Sequence, residues 1–265
     1  MDKSDQLTMR DHNQRLVLQA LFNAKETSRA QLAVDLNLHK STISSIYRDL
    51  DKLGFIEDLG EGTTTETGGR KAKMIRFNRQ YGYVMSFDMG RYHLRMALVR
   101  LSGEVISQSA ELVDGRAVDE VLALMSQHVK AHKNKKHGTQ EGLMGIAVGI
   151  HGVVNDNQVV YSPFFDYRNV DIAATLEKVG GVPVMLENEA NSAAVYIRDY
   201  HDYYRTAQYD NLVALNIHYG IGAGIIIDGQ LYRGMQGDAG EVGRSIVAMA
   251  HNAPIRVEDL YSEDA

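Results

Sequence analysis

The hydrophobic periodicity of this chain changes near residue 80, and that change constrains the fold more strongly than any other feature. Before residue 80, apolar residues recur at helical spacing. After it, short apolar runs typical of strands alternate with helical segments. Such an alternation favours an α/β architecture, in which helices cover a sheet. We therefore predict two domains, one at 1–78 and the other at 79–265.

The first domain is predicted to contain three helices followed by a hairpin. Helical periodicity is found in the segments 10–24, 28–36 and 40–53. The second of these opens with Ser28 and Gln31 at the spacing of a capping box. Two short strands, 55–58 and 74–77, then flank a loop rich in Gly and Thr. Three helices and a hairpin in this order predict a winged helix-turn-helix.

The third predicted helix has a polar side suited to the major groove of DNA. We expect its small and basic side chains to meet base edges or phosphates: Lys40, Ser41, Thr42, Ser45 and Arg48. In the hairpin loop, Arg70 follows two glycines and Lys71 follows Arg70, a pattern suited to a narrow minor groove. A solvated helix face and an ordinary flexible turn are the alternatives.

Charge and composition set further limits on function. Residues 1–80 carry 13 basic and 11 acidic side chains, whereas the remainder carries 15 and 23, so only the first domain is suited to a phosphate backbone. The chain has no Cys, which excludes disulfides, thiolate zinc sites and Cys nucleophiles and fits a reducing cytoplasm. No apolar run approaches the roughly 18 residues that span a membrane, and no signal peptide is predicted. We expect a cytoplasmic protein.

Four glycine-containing segments give the second domain a distinctive pattern: Phe87-Asp88-Met89-Gly90, Gly149 to Val154, Pro183 to Asn191, and Gly220 to Gly224 with Gly237 to Arg244. With these segments the chain resembles the ROK family of repressors and sugar kinases, and among its winged-helix members it looks most like repressors of xylose operons. The resemblance implies a two-lobed, actin-like ATPase fold. It places the first lobe at 79–188 and a second lobe, incomplete at its C-terminal end, at 189–265.

The resemblance also implies that phosphoryl transfer has been lost. In the family's sugar kinases an Asp acts as the general base, and Glu189 stands at that position here. On the ATP side, a Gly and a hydroxyl residue are replaced by Arg91 and Tyr92. The second phosphate loop reads His218-Tyr219 before its glycine. We therefore expect no catalytic residue and no cofactor.

The sugar side keeps more of the family pattern. The resemblance implies sugar contacts from Gly152, Asn188, Glu189, Glu241 and Arg244, the last standing where the family usually has His. The alternatives are a strand-end cap for Asn188, a solvated acid for Glu241 and a salt bridge for Arg244. The zinc-binding Cys residues of many family members are absent, and the ten His show no close pair at ligand spacing, so no metal is predicted.

Together these features predict a sugar-responsive regulator that represses a xylose or related operon. Its expected partners are operator DNA and a small sugar, with no membrane partner, and it is expected to form a homodimer if the sugar domain is complete. A ROK-type sugar kinase with an appended DNA-binding module is one alternative. A truncated regulator that binds DNA constitutively, or not at all, is the other.

Overall fold

The structure, a computed structural model, describes residues 3–24, 26–62, 71–201, 210–251 and 253–263. The chain divides into two units, Met1–Tyr81 and Gly82–Ala265. The predicted first domain ends at residue 78, a little before this division. Arg70, predicted to contact DNA, lies outside the described residues.

The first unit begins with three helices: α1 (Lys3–Asn23), α2 (Arg29–Asp35) and α3 (Lys40–Lys52). α1 begins earlier than the prediction at residue 10, because no Gly or Pro interrupts the polar residues before it. Ser28 caps α2, and its Oγ accepts a hydrogen bond from the Gln31 N–H at 3.1 Å. The reciprocal half of the predicted capping box does not form, since the Gln31 amide donates to Asp35 at 2.6 Å instead.

Three antiparallel strands complete the first unit. β1 (Thr27–Ser28), β2 (Ile56–Glu61) and β3 (Lys73–Phe77) form a sheet in the order β1-β3-β2. β1 was not predicted, because two residues are too few to show strand alternation. Ile43, Ile46 and Leu50 of α3 are buried, as the helical periodicity predicts. Leu53 is 52% exposed, because it lies beyond the last helical turn.

The second unit contains a mixed five-stranded sheet in the order β10-β7-β4-β5-β6. Its strands are β4 (Tyr83–Met89), β5 (His93–Arg100), β6 (Val105–Leu112), β7 (Leu143–Ile150) and β10 (Val184–Asn188). β4, β7 and β10 run parallel to one another, and β5 runs antiparallel to both of its neighbours, β4 and β6. The helices α4 (Val118–His132) and α5 (Ile172–Gly180) pack together, and their apolar residues join those of the sheet in one core.

Sequence reasoning missed several elements of this unit, among them α5 and the hairpin that follows β7. α5 is capped at its start by Asp171, whose carboxylate accepts from the Ala174 N–H at 2.8 Å, and at its end by the left-handed Gly181. A hairpin of β8 (Val153–Asn155) and β9 (Gln158–Tyr161) follows β7. At its turn, the Asn157 amide bonds to the backbone of Val184 and Leu186 in edge strand β10. This side chain replaces a neighbouring strand there.

The rest of the second unit is built on a smaller antiparallel sheet. α6 (Glu189–Tyr196) continues as a π-helical turn, Ile197–His201. The sheet contains β11 (Leu212–Ile217), β12 (Ile221–Ile227) and β13 (Gln230–Leu231) in that order. α6 packs so closely on β12 that a Cβ at Gly224 would overlap the Ala190 carbonyl. Gly at this position therefore sets the distance between helix and sheet.

The described part of the C-terminal segment contains a 3₁₀ turn, a hairpin and a short helix. These are Val242–Arg244, β14 (Ile246–Ala250), β15 (Ala253–Arg256) and α7 (Val257–Tyr261). Among the residues described, no helix combines the length and apolar character needed to cross a membrane.

Candidate functional site

Two segments of the second unit meet at one edge of the five-stranded sheet. β7 and β10 are parallel neighbours in which Ile150 pairs with Asn188. The turn after β7 and the start of α6 therefore lie side by side, where parallel strands place their C-terminal ends. The structure thus brings Gly152 beside Asn188 and Glu189, although Gly152 and Asn188 are 36 positions apart in the sequence.

Asn188 has a structural role at this edge. Its Oδ1 accepts a hydrogen bond from the Asn191 N–H at 3.0 Å and so caps α6. Its Nδ2 donates to the Gly152 carbonyl at 2.9 Å and to Glu189 Oε2 at 2.8 Å. The strand-end cap is therefore present, and both amide hydrogens have partners. A sugar contact from Asn188 remains a prediction and would use the free lone pair of Oδ1.

Glu189 is a partly buried carboxylate surrounded by donors. Besides Asn188, the Gly152 N–H donates to it. Burial raises the pKa of Glu189, while the positive charge of His151 and the hydrogen bonds to its carboxylate oppose this rise. The negative charge of Glu241 also contributes to the raised pKa of Glu189. The two predicted acids therefore lie close enough for their charges to interact.

His151 was not predicted, yet it connects the two halves of the site. Its Nε2 lies 3.0 Å from Asp88 Oδ1, and Arg95 donates to the other oxygen of Asp88 at 2.9 Å. Burial acts to lower the pKa of His151, but the hydrogen bond to Asp88 and the charges of Glu189 and Asp88 raise it above its ordinary value. A His beside a glycine at the C-terminal end of a strand was the available sequence signal.

The raised pKa of His151 predicts a specific dependence of stability on pH. A His whose folded-state pKa exceeds its unfolded value stabilises the fold below the unfolded pKa, and this contribution disappears as pH rises through the folded pKa. We expect wild-type protein to lose more stability than His151→Gln as pH rises from about 6 to about 8.5. Urea unfolding across this range measures the difference. Parallel curves for the two proteins would contradict the prediction.

Glu241 and Arg244 lie at the 3₁₀ turn, facing the β8–β9 hairpin. Burial raises the pKa of Glu241, Arg244 opposes the rise, and the carboxylates of Glu258 and Asp238 add to it. Arg244 Nη1 lies 3.9 Å from Glu241 Oε2, so the salt bridge considered for Arg244 is formed within the site. The Arg244 guanidinium also lies over the Tyr161 ring, 4.8 Å from its centroid. Neither Tyr161 nor Glu258 was predicted from the sequence.

The two turns that resemble phosphate loops carry aromatic and charged side chains. Tyr92, after β4, and Tyr219, after β11, meet edge to face with ring centroids 5.1 Å apart. The Arg91 guanidinium lies over the Tyr92 ring at 4.8 Å. His218 Nδ1 is 3.2 Å from Glu263 Oε2. The contact between Tyr92 and Tyr219 thus connects the two turns.

The predicted DNA-contacting residues of α3 lie away from its buried side. Lys40, Ser41 and Arg48 are exposed, and Thr42 and Ser45 are half-buried. Arg48 Nε donates to the Ser44 carbonyl at 3.3 Å, within the helix. Lys71, next to β3, is exposed. The face that these residues form on α3 is continuous, as its periodicity requires.

A close histidine pair that the sequence did not indicate forms after α4. His132 Nδ1 lies 3.0 Å from His137 Nε2, so the chain does contain a close His pair. The pair is formed because the turn after α4 brings residue 137 back beside the helix end. Across the described ranges, no group of three or more His, Cys, Asp or Glu is arranged to hold a metal ion.

Several known proteins are similar to this chain along nearly all of its length. The xylose repressor of Lactiplantibacillus pentosus is 43% identical over 258 residues, which cover 97% of this chain and 66% of the relative. The xylose repressor of Staphylococcus xylosus is 34% identical, covering 96% of this chain and 67% of the relative. The chain therefore spans about two thirds of the length of these relatives.

Solved structures show the same likeness. A ROK family transcriptional regulator, a homologue of the Escherichia coli MLC protein, matches with a TM-score of 0.79 and 25% identity, over 97% of this chain and 65% of that one. A ROK family glucokinase from Streptomyces griseus shares the fold, with a TM-score of 0.54 and 24% identity over 63% of this chain and 51% of that one. Residues 84–255 match the ROK family itself. The chain belongs to the ROK family, with the α/β, sugar-kinase-like fold that this family shares.

Proposed function

We propose that this chain is a sugar-responsive, DNA-binding repressor that transfers no phosphoryl group. The observation that carries the proposal is the contrast between the two sides of the second unit. On one side, the carboxylates of Glu189 and Glu241 are kept close together and partly buried. On the other, Tyr92 and Tyr219 meet between the two turns that resemble phosphate loops. This contrast favours binding of a sugar without its phosphorylation.

The proposed DNA-binding domain is a winged helix-turn-helix at residues 1–78. Its support is the order of three helices followed by the antiparallel β2–β3 hairpin. We assign α3 as the recognition helix, with base or phosphate contacts from its exposed face. The contact from Arg70 remains a prediction from the sequence.

The proposed sugar site lies in the ROK domain, at 79–265. It combines acceptors in Glu189 and Glu241 with donors in Arg244 and the Gly152 backbone. Buried carboxylates select hydroxyl-rich, uncharged ligands, because a missing hydroxyl leaves a buried acceptor unpaired. The names of the relatives support xylose or a related sugar as the effector. We propose that the repressor acts as a homodimer, so that two recognition helices reach two half-sites.

A sugar kinase with a DNA-binding domain is the second candidate. It is favoured by Glu189, whose raised pKa makes it a stronger base than an ordinary carboxylate. Against it stands the side-chain bridge between Arg91, Tyr92 and Tyr219, which would have to open before a nucleotide could enter. The repressor is therefore the better supported function.

Calorimetry and a phosphorylation assay together separate these candidates. We expect the chain to bind xylose or a related sugar, to show no heat with ATP, and to form no sugar phosphate. DNA fragments selected from a random library should bind, and the sugar should weaken that binding. Formation of ATP-dependent sugar phosphate above background would establish kinase activity. Failure to select any DNA would rule out the proposed DNA-binding function.

A further inference from the structure

The first unit contains a positively charged cavity that the assignment of α3 does not explain. It has a volume of about 570 Å³ and lies between the starts of α2 and α3 and the loop end of the β2–β3 hairpin. Four cations line it: Arg29, Lys40, Lys71 and Lys73. We call these four residues the basic notch. Arg29 and Lys73 come from elements not considered as DNA contacts.

The basic notch holds more positive than negative charge. Glu61 is the single carboxylate among the lining residues, and Asp58, which is not among them, forms an ion pair with Lys73. The hydrogen bond and the charge of Asp58 raise the pKa of Lys73. The positive charge of Arg29 lies close enough to Lys73 to oppose this rise. Lys40 and Lys71 have no ion-pair partner within the described ranges. Cations that converge in this way favour an anion between them.

Two of the four cations are held in place before any ligand arrives. The Arg29 guanidinium lies over the ring of Tyr47, 5.0 Å from its centroid, and Tyr47 is part of α3. Lys73 is fixed by Asp58 across the hairpin. The ordering entropy of these side chains is therefore already lost, which lowers the cost of binding a ligand.

We propose that the basic notch binds a phosphodiester group of the DNA backbone, with Arg29 and Lys73 as its fixed contacts and Tyr47 as a positioning residue. This inference rests on the proposed DNA-binding function. Lys40 begins α3, so a phosphate held in the notch lies at the end of the helix that carries Ser41 and Thr42. Such a contact sets the register of the helix on the duplex and carries no sequence information of its own.

Binding of a short mixed-sequence duplex, followed by fluorescence anisotropy over a series of salt concentrations, tests the notch. Removing one phosphate contact reduces the salt slope by about 0.9. We expect Arg29→Gln and Lys73→Gln each to weaken binding about three- to tenfold and to lower the slope by about one. Lys52→Gln, which removes a cation at the other end of α3, should leave both quantities unchanged.

The Tyr47 variants test whether Arg29 must be held. Tyr47→Phe keeps the ring and should bind as wild type, whereas Tyr47→Ala should weaken binding, with little further loss when combined with Arg29→Gln. Circular dichroism confirms that each variant is folded.

Three results would overturn the inference. If Arg29→Gln and Lys73→Gln bind as wild type does, the notch is not a phosphate site, although the proposed function stands. If Arg29→Gln changes the base preference of selected fragments, Arg29 is a base contact. If wild-type protein binds no duplex even at low salt, both the inference and the proposed function fail.

Discussion

Glu241→Ala is expected to abolish the sugar response and to leave DNA binding intact. Glu241 is a partly buried acceptor, and removing one partner of a charged hydrogen bond costs about 1.5–3 kcal/mol. If the carboxylate accepts from two sugar hydroxyls, affinity should fall by roughly two orders of magnitude or more. DNA binding should persist, because Glu241 belongs to the second unit and the proposed DNA contacts to the first.

The same substitution should not destabilise the protein. Glu241 lies near Glu258, Asp238 and Glu189, and its removal relieves repulsion among these carboxylates. Calorimetric sugar titration and DNA release by sugar measure the response. Glu104→Ala is the matched control, because its side chain is 69% exposed and pairs only at the surface with Arg100. A full sugar response in Glu241→Ala would remove Glu241 from the proposed site.

Asn188→Ala should both destabilise the second unit and weaken sugar binding. The change removes the cap of α6, worth about 0.5–2 kcal/mol, and leaves the half-buried Gly152 carbonyl without its donor, at about 1–3 kcal/mol. We expect the free energy of unfolding in urea to fall by about 2–4 kcal/mol. Sugar affinity should fall as well, because Asn188 also orients Glu189.

Asp171→Ala is the control that separates the effect of losing a helix cap from an effect on the sugar site. Asp171 caps α5 in the same unit through one hydrogen bond to the Ala174 N–H, and it has no contact with Glu189 among the described residues. Its loss should lower stability by about 1 kcal/mol and leave sugar affinity unchanged. Equal effects of the two substitutions on sugar affinity would show that Asn188 acts through helix stability alone.

Most helices and strands of the chain could be predicted, because their signals are local. The alternation in β4 gives buried Tyr83, Met85, Phe87 and Met89, and the period of α3 buries Ile43, Ile46 and Leu50. Family membership, predicted from glycines at fixed offsets, is confirmed by the comparisons. α5 was missed although Asp171 and Gly181 mark its ends and its buried Ile172 and Leu176 lie at helical spacing, because nine residues are a short window for a period.

The candidate site was only partly predictable, for a physical reason. The family pattern identified Glu189 and Glu241 as candidate residues, yet His151 gains its partner from Asp88, 63 positions away, through the parallel pairing of β4 with β7. Neither residue type nor spacing indicates that contact.

The sequence by itself determined the periodicity of the helices and strands, the charge difference between the two parts of the chain and the absence of thiolate chemistry. Only the tertiary structure decided that Tyr92 meets Tyr219, that Arg29 rests on Tyr47 and that Asn188 is both a helix cap and a donor to Glu189. Local signals come from neighbours along the chain, whereas these contacts depend on strand order and on how helices and turns pack.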